Sequence, residues 1–176
     1  MTGCKCSIWK ALSAVAALAL LLPRLALGEF GVCPPYSKTF GPEDPEDEIW
    51  AFLNEIDSRP GGGTLVLEPA HYFRDSRGYP VSIDGIVCIR TTEPDSQRAS
   101  INLVFRVRAG AILSLQGINL SGQSDPHGHL VDEGATLFAD RASLAVDGLT
   151  GTVAGSLENA GMAYLNEVAI GGSEGY

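Results

Sequence analysis

DEIWAFLNEIDSRPGGGTLVLEPAHYF, residues 47–73, is the stretch that decides the fold. Its first half carries apolar side chains at positions i, i+3, i+4 and i+7 of a helix, which are Ile49, Phe52, Leu53 and Ile56. Pro60 and three glycines end this helix, and the following TLVLE, residues 64–68, predicts a β-strand. A single short helix needs a surface on which to bury its apolar stripe. The open end of a stack of β-coils would provide that surface.

Three later segments repeat one layout, in which two short alternating strands are joined by a bend. They start at Gly110, Gly134 and Gly161, so the repeat advances by 24 and then by 27 residues. Their inward-facing candidates are Leu113, Leu115, Ile118 and Leu120, then Ala135, Leu137, Leu144 and Val146, then Ala163, Leu165, Val168 and Ile170. Residues 64–67, 85–90 and 101–107 would supply earlier coils. A run of about five such units predicts a solenoid, in which each coil buries the apolar face of its neighbour.

The helix, the glycine-rich turn and GTLVLEPAHYF together resemble the opening of the pectin-lyase-like superfamily, whose members begin with a capping helix and a Gly-Gly-Thr strand that leads to a tyrosine. The resemblance is close over residues 47–73 and extends over the remaining chain as a repeat pattern. It implies an all-β fold, a right-handed parallel β-helix (solenoid) with one short N-terminal capping helix. The competing fold is an antiparallel β-sandwich, although Asp-Gly hairpin turns occur only at residues 84–85 and 147–148.

The chain divides into three regions. Residues 1–28 combine a basic start with a mainly apolar run that is too short to span a membrane, so they are predicted to be a signal peptide. Residues 29–46 contain four prolines and are predicted to form an irregular arm. Residues 47–176 form the β-helix domain, with the capping helix at 47–59 and coils from residue 64. The protein is therefore expected to be secreted, with no membrane span after signal removal, and truncated at the C-terminus, because it stops directly after a coil.

Charge and cysteine content limit the environment and the partners of the chain. The net charge is −9, and the first 28 residues hold three basic residues and no acidic ones, so the mature chain carries −12. Such a chain lacks the cationic footprint that nucleic acids and anionic membranes require. Cys33 and Cys88 remain after signal removal and are expected to form a disulfide in an oxidising compartment, the alternative being two buried thiols. No metal or cofactor is expected.

Asp125-Pro126-His127 is the strongest candidate for chemistry. On an extended segment Asp125, His127 and His129 would point to one face and form an acid/base cluster. The first three residues resemble the Asp-Pro-His stretch of the alginate C5-epimerases, which implies that Asp125 and His127 are catalytic proton-transfer groups. Gly128 departs from that family, which has an acidic residue there. The alternative is a polar corner loop, because Gly, Ser and Asp build turns for backbone reasons alone.

Residues 101–108 alternate as a single strand would. The inward positions are Ile101, Leu103, Phe105 and Val107, and the outward ones are Asn102, Val104, Arg106 and Arg108. Arg106 and Arg108, with Arg90 on an adjacent coil and His129, are predicted to bind the carboxylate or sulfate of an anionic polysaccharide. The alternative is a solvated face, on which the arginines pair with Asp84, Glu93 or Asp95.

These features predict a secreted or cell-surface β-helix protein that contacts glycans or other proteins without catalysis. The alternative is a polysaccharide-active enzyme, a uronate epimerase or lyase, in which Asp125 and His127 act on a substrate held by Arg106 or Arg108. A third interpretation is a structural stalk. Asn119, in the sequon Asn-Leu-Ser, is a predicted glycosylation site. β-Helices host many unrelated activities, so the fold by itself selects none of these.

Overall fold

The computed structural model of this chain describes residue 31 and residues 33–72, 80–94, 98–124, 128–148 and 157–171. Within these residues one helix, α1 (Glu46–Ser58), accompanies fifteen short strands. The strands are β1 (Ser37–Phe40), β2 (Gly63–Leu67), β3 (His71–Tyr72), β4 (Val81–Ile83), β5 (Ile86–Thr91), β6 (Ala99–Asn102), β7 (Phe105–Val107), β8 (Ile112–Gln116), β9 (Ile118–Ser124), β10 (His129–Val131), β11 (Thr136–Asp140), β12 (Ser143–Gly148), β13 (Leu157–Asn159), β14 (Met162–Asn166) and β15 (Ala169–Gly171).

The strands form three sheets. Sheet A has the order β1-β2-β5-β8-β11-β14, sheet B the order β3-β6-β9-β12-β15, and sheet C the order β4-β7-β10-β13. Every strand pair among the described residues is parallel, so the antiparallel sandwich is excluded. Each turn of the chain adds one strand to each sheet in succession, which makes a parallel β-solenoid of about five coils. The solenoid is confirmed, whereas its right hand stays a prediction.

Each of the first four coils has three strands, whereas the repeats of the sequence indicate two. The additional strands are those of sheet C, and each is only three residues long in β4, β7, β10 and β13. The inward-facing residues predicted for the repeats that start at Gly110 and Gly134 are all buried. In the last repeat Leu165 and Ile170 are exposed instead, although they occupy the same inward columns.

Residues 101–108 do not form one strand. Ala99–Asn102 belong to sheet B and Phe105–Val107 to sheet C, with a bend at Leu103 and Val104 between them. Both bend residues are buried, Leu103 within the hydrophobic core cluster and Val104 outside it, so Val104 is shielded from solvent. The four predicted inward positions are all buried across the bend, and the Val104 carbonyl accepts a hydrogen bond from the Val81 amide at 2.7 Å.

Helix α1 covers the first coil with its predicted apolar stripe. Its buried residues are Ile49, Phe52, Leu53 and Ile56. Both ends of the helix lie within one residue of the predicted bounds, 47–59. Asp57, near its C-terminus, accepts hydrogen bonds from the backbone amides of Asp84 and Gly85 at 2.9 and 2.8 Å. These bonds fix the cap to the loop that leads into β5.

The arm is more ordered than its prolines predict. Residues 37–40 form β1, which pairs with β2 and completes one edge of sheet A. Before it, the Thr64 hydroxyl donates to the Pro34 carbonyl at 2.6 Å, and Cys33 forms the predicted disulfide with Cys88 of β5. The backbone groups on the edge of β2 need partners, and this tertiary requirement outweighs the local composition of the arm.

Gly62 and Gly61 provide a matched pair for testing the junction between α1 and sheet A. Both have positive φ, of +72° and +86°, but a Cβ atom on Gly62 would overlap the carbonyl of Ile86, whereas one on Gly61 would meet open space. We expect Gly62→Ala to lower the free energy of unfolding by about 2 kcal/mol or more beyond Gly61→Ala, because β5 must shift. Urea denaturation of both variants measures this difference, and equal losses would contradict the described packing.

Candidate functional site

The outer face of sheet C carries Arg106 and Arg108, and both lie opposite acidic side chains. Arg106 Nε lies 3.0 Å from Oδ1 and 3.1 Å from Oδ2 of Asp132, one coil away. Arg108 Nε lies 3.8 Å from Oδ1 of Asp84 on the preceding coil. This face is therefore a mixed-charge patch of partly exposed ion pairs. The pair of Arg108 with Asp84 agrees with the alternative considered from the sequence, whereas Asp132 was not among the partners expected for Arg106. A ligand there would compete with carboxylates already in place.

His129 lies in the core and not on an outer face. Its side chain has no exposed area, stacks on Phe105 at a ring-centroid distance of 4.4 Å, and accepts a hydrogen bond at Nδ1 from the Phe105 amide at 3.3 Å. On β10 the side chain of Leu130 points outward and those of its two neighbours inward. The contact with a polysaccharide predicted for His129 does not fit this position, since Phe105 and the surrounding core separate it from solvent.

Burial also sets the protonation state of His129. Desolvation lowers its pKa to about 4, and the backbone carbonyl of Ala145 opposes this shift only in part. Nε2 makes no hydrogen bond of regular geometry. The imidazole is therefore neutral at pH 7. Asp125 and His127, the predicted catalytic pair, lie outside the described residues, and their role stays a prediction.

Arg90 lies on a different sheet from Arg106 and Arg108. It points outward from β5 in sheet A, where its register neighbours are Val66 and Gln116, both uncharged. The next acid along this column is Asp140, which already binds Arg141 at 2.8 Å and Asn166 at 2.7 Å. Among the described residues no carboxylate pairs with Arg90, so the three predicted arginines do not form one site.

Arg90 lines a pocket of about 370 Å³. Arg90, Gln116 and Thr64 of sheet A form its floor, and Cys33, Pro34 and Pro35 of the arm form its wall. The Cys33–Cys88 disulfide holds that wall in place, because Cys88 and Arg90 are two residues apart and face the same side of β5. We call this the Arg90 pocket. The spacing of Cys88 and Arg90 was the one sequence signal that could have indicated it.

Asn119 lies on the outer face of sheet B. It is half-buried on β9 between Ser100 and Ser143, its register neighbours, and Ser121 of the same sequon is exposed. Glycosylation at Asn119 stays a prediction.

Comparison of the chain with family models, with curated proteins and with solved structures returns no match. The structure shows a parallel β-solenoid, and membership of the pectin-lyase-like superfamily stays a prediction. In the described part of the chain, no three His, Cys, Asp or Glu side chains lie close enough together to hold a metal ion. Nor does any helix there have the length and apolar character needed to cross a membrane.

The buried imidazole predicts acid sensitivity. The folded pKa of His129, about 4, is below its ordinary value of 6.5, so the unfolded chain takes up a proton first as the pH falls. Stability from this group is fully present above pH 6.5 and is lost as the pH falls toward 4, with about 2 kcal/mol of the loss between pH 7 and 5. Urea denaturation across this range should show a shallower decline for His129→Leu than for the wild type.

His71 provides the control for this measurement, because it is exposed on β3. His71→Gln should keep the pH dependence of the wild type. The comparison concerns the change of stability with pH, since His129→Leu also removes the acceptor of the Phe105 amide and lowers stability at every pH. Parallel curves for His129→Leu and the wild type would refute the assignment.

Proposed function

We propose that this chain is a non-catalytic extracellular binding module, which holds an anionic group of a glycan in the Arg90 pocket. The observation that carries the proposal is a half-buried arginine that lines a pocket and has no carboxylate partner among the described residues. The disulfide is compatible with an oxidising, extracellular compartment.

The chemistry of the pocket favours a carboxylate or a sulfate. A guanidinium group presents parallel N–H donors that match the two oxygens of such a group, and partial burial strengthens the attraction relative to open solvent. Gln116 and Ser37 add an amide and a hydroxyl to the lining, and Pro34 and Pro35 add a rigid wall. The volume is at the lower end of small-ligand pockets, which fits one sugar unit of a longer chain.

The composition of the pocket favours binding over proton transfer. Its described lining contains an arginine and neutral polar groups, but neither a histidine nor a carboxylate. A general acid or base must lie within hydrogen-bond reach of the proton that it moves. The alternative function, a uronate epimerase or lyase, depends on Asp125 and His127, which lie outside the described residues.

The proposal predicts a specific loss of binding in Arg90→Gln. We expect the wild type to bind an oligouronate or a sulfated oligosaccharide and to ignore a neutral oligosaccharide of equal length. Arg90→Gln should weaken binding by about tenfold or more, because the charge-assisted bonds are lost while the shape of the side chain is nearly kept. Isothermal titration calorimetry at two salt concentrations measures the affinity and its electrostatic part.

Arg108→Gln is the matched control, since it removes the same charge from sheet C, where Arg108 lies near Asp84. Its affinity should equal that of the wild type. Loss of binding in Arg108→Gln with retention in Arg90→Gln would transfer the site to sheet C. Turnover of the oligouronate, seen as a new unsaturated or epimerised product, would favour the enzyme instead.

A further inference from the structure

The two cysteines of the disulfide differ in their access to solvent. Cys33 is exposed and lines the Arg90 pocket, whereas Cys88 is fully buried on β5. A thiolate from solution can therefore reach Cys33 but not Cys88. Thiol–disulfide exchange begins with the attack of a thiolate on one sulfur of the bond, and the sulfur that is attacked keeps the incoming group as a mixed disulfide. In this fold that sulfur is the one of Cys33.

The arm covers Cys88 because it crosses sheet A at this point. On one side of Cys88, Thr64 of β2 donates its hydroxyl hydrogen bond to the arm at 2.6 Å. On the other side, Gly31 of the arm lies over Ser114 of β8, where a Cβ atom would come within 3.0 Å of the serine hydroxyl oxygen. The bond at Thr64 and the pairing of β1 with β2 do not involve Cys33. Cleavage of the disulfide therefore detaches the wall of the Arg90 pocket locally, without unfolding the coil.

Arg90 places a positive charge beside this disulfide. Arg90 and Cys88 face the same side of β5, and Arg90 and Cys33 line the same pocket, whose described lining contains no carboxylate. A guanidinium group there attracts an incoming thiolate and stabilises the thiolate that departs from Cys88. It is also a bidentate partner for a carboxylate. A thiol that carries a carboxylate is therefore favoured over a thiol that does not.

We propose that Cys33 is a thiol-exchange site, at which a small thiol attacks the disulfide while Arg90 binds the carboxylate of that thiol. The incoming sulfur bonds to Cys33 Sγ, the bond to Cys88 breaks, and its electron pair leaves on Cys88 Sγ, which then takes up a proton. A second thiolate attacks the mixed disulfide and releases Cys33 as a thiolate, which is protonated in turn. Two thiols are thus oxidised to one disulfide as the protein disulfide is reduced. The site shares the Arg90 pocket with the proposed function but requires no glycan.

Exchange rates with two thiols test the proposal. Mercaptopropionate carries a carboxylate and mercaptoethanol a neutral hydroxyl, and each rate is divided by the concentration of thiolate at the working pH. We expect the wild type to prefer mercaptopropionate by about tenfold, relative to the preference of a small neutral disulfide for the same thiols. Arg90→Gln should abolish this preference. The measured quantity is a ratio of two rates, so a general change of stability in the variant affects both thiols alike.

Rapid alkylation followed by peptide mass spectrometry locates the mixed disulfide, which we expect on Cys33 with an alkylated Cys88. Arg108→Gln is the matched control, because it removes the same charge from sheet C, and it should keep the preference of the wild type. The proposal is overturned if Arg90→Gln keeps the preference, if Arg108→Gln also loses it, or if the mixed disulfide lies on Cys88. No glycan enters these measurements, so their outcome and that of the glycan titrations are independent.

Discussion

Apolar columns run through the inside of this solenoid, and they stay continuous only if every coil directs the same register position inward. Leu65, Ile89, Leu115 and Ala139 form one such column along sheet A, and each is essentially inaccessible to solvent. Neighbouring strands lie about 4.8 Å apart, so the side chain of one coil is covered by those directly above and below it. An insertion of one residue in a strand would turn its apolar side chains outward. The corners between strands, by contrast, can differ in length from coil to coil without changing this register, and in this chain their lengths do differ.

Three polar side chains differ in how the fold accommodates them. His129 occupies an inward column, but it stacks on the ring of Phe105 and replaces a hydrogen bond to water with one from a backbone amide. Asp140 lies on the outer face of sheet A and is almost completely buried, and Arg141 and Asn166 both donate hydrogen bonds to it. Arg90 has no such partner, and it is also the arginine beside which the arm leaves a pocket. The contrast between Asp140 and Arg90 distinguishes a charge satisfied within the fold from the charge on which the proposed binding site depends.

Local sequence patterns predict the parts of this structure that local physics determines. The stripe of α1 follows from helical periodicity, and the first two strands of the inner coils follow from alternation between glycines. Local sequence patterns do not predict features that depend on residues far apart in the chain. The bend at Leu103 and Val104 looks like uninterrupted alternation, and β1 exists because the edge of β2 needs partners. The predicted disulfide and the spacing of Cys88 and Arg90 indicate which side of β5 the arm approaches, but the path of the arm that forms the wall of the Arg90 pocket does not follow from local sequence.

The same disulfide gives the first two coils a covalent link that the later coils lack among the described residues. Coil stacks contact only their nearest neighbours, so they come apart one coil at a time from whichever end is weaker. At the N-terminal end Cys33 is bonded to β5, so α1, β1 and the first coil are enclosed in one covalent loop. A pull on the arm is transmitted past the cap to the second coil. No second disulfide occurs among the described residues, so force applied to the arm bypasses the first coil, which cannot unravel into an extended chain while the bond is intact.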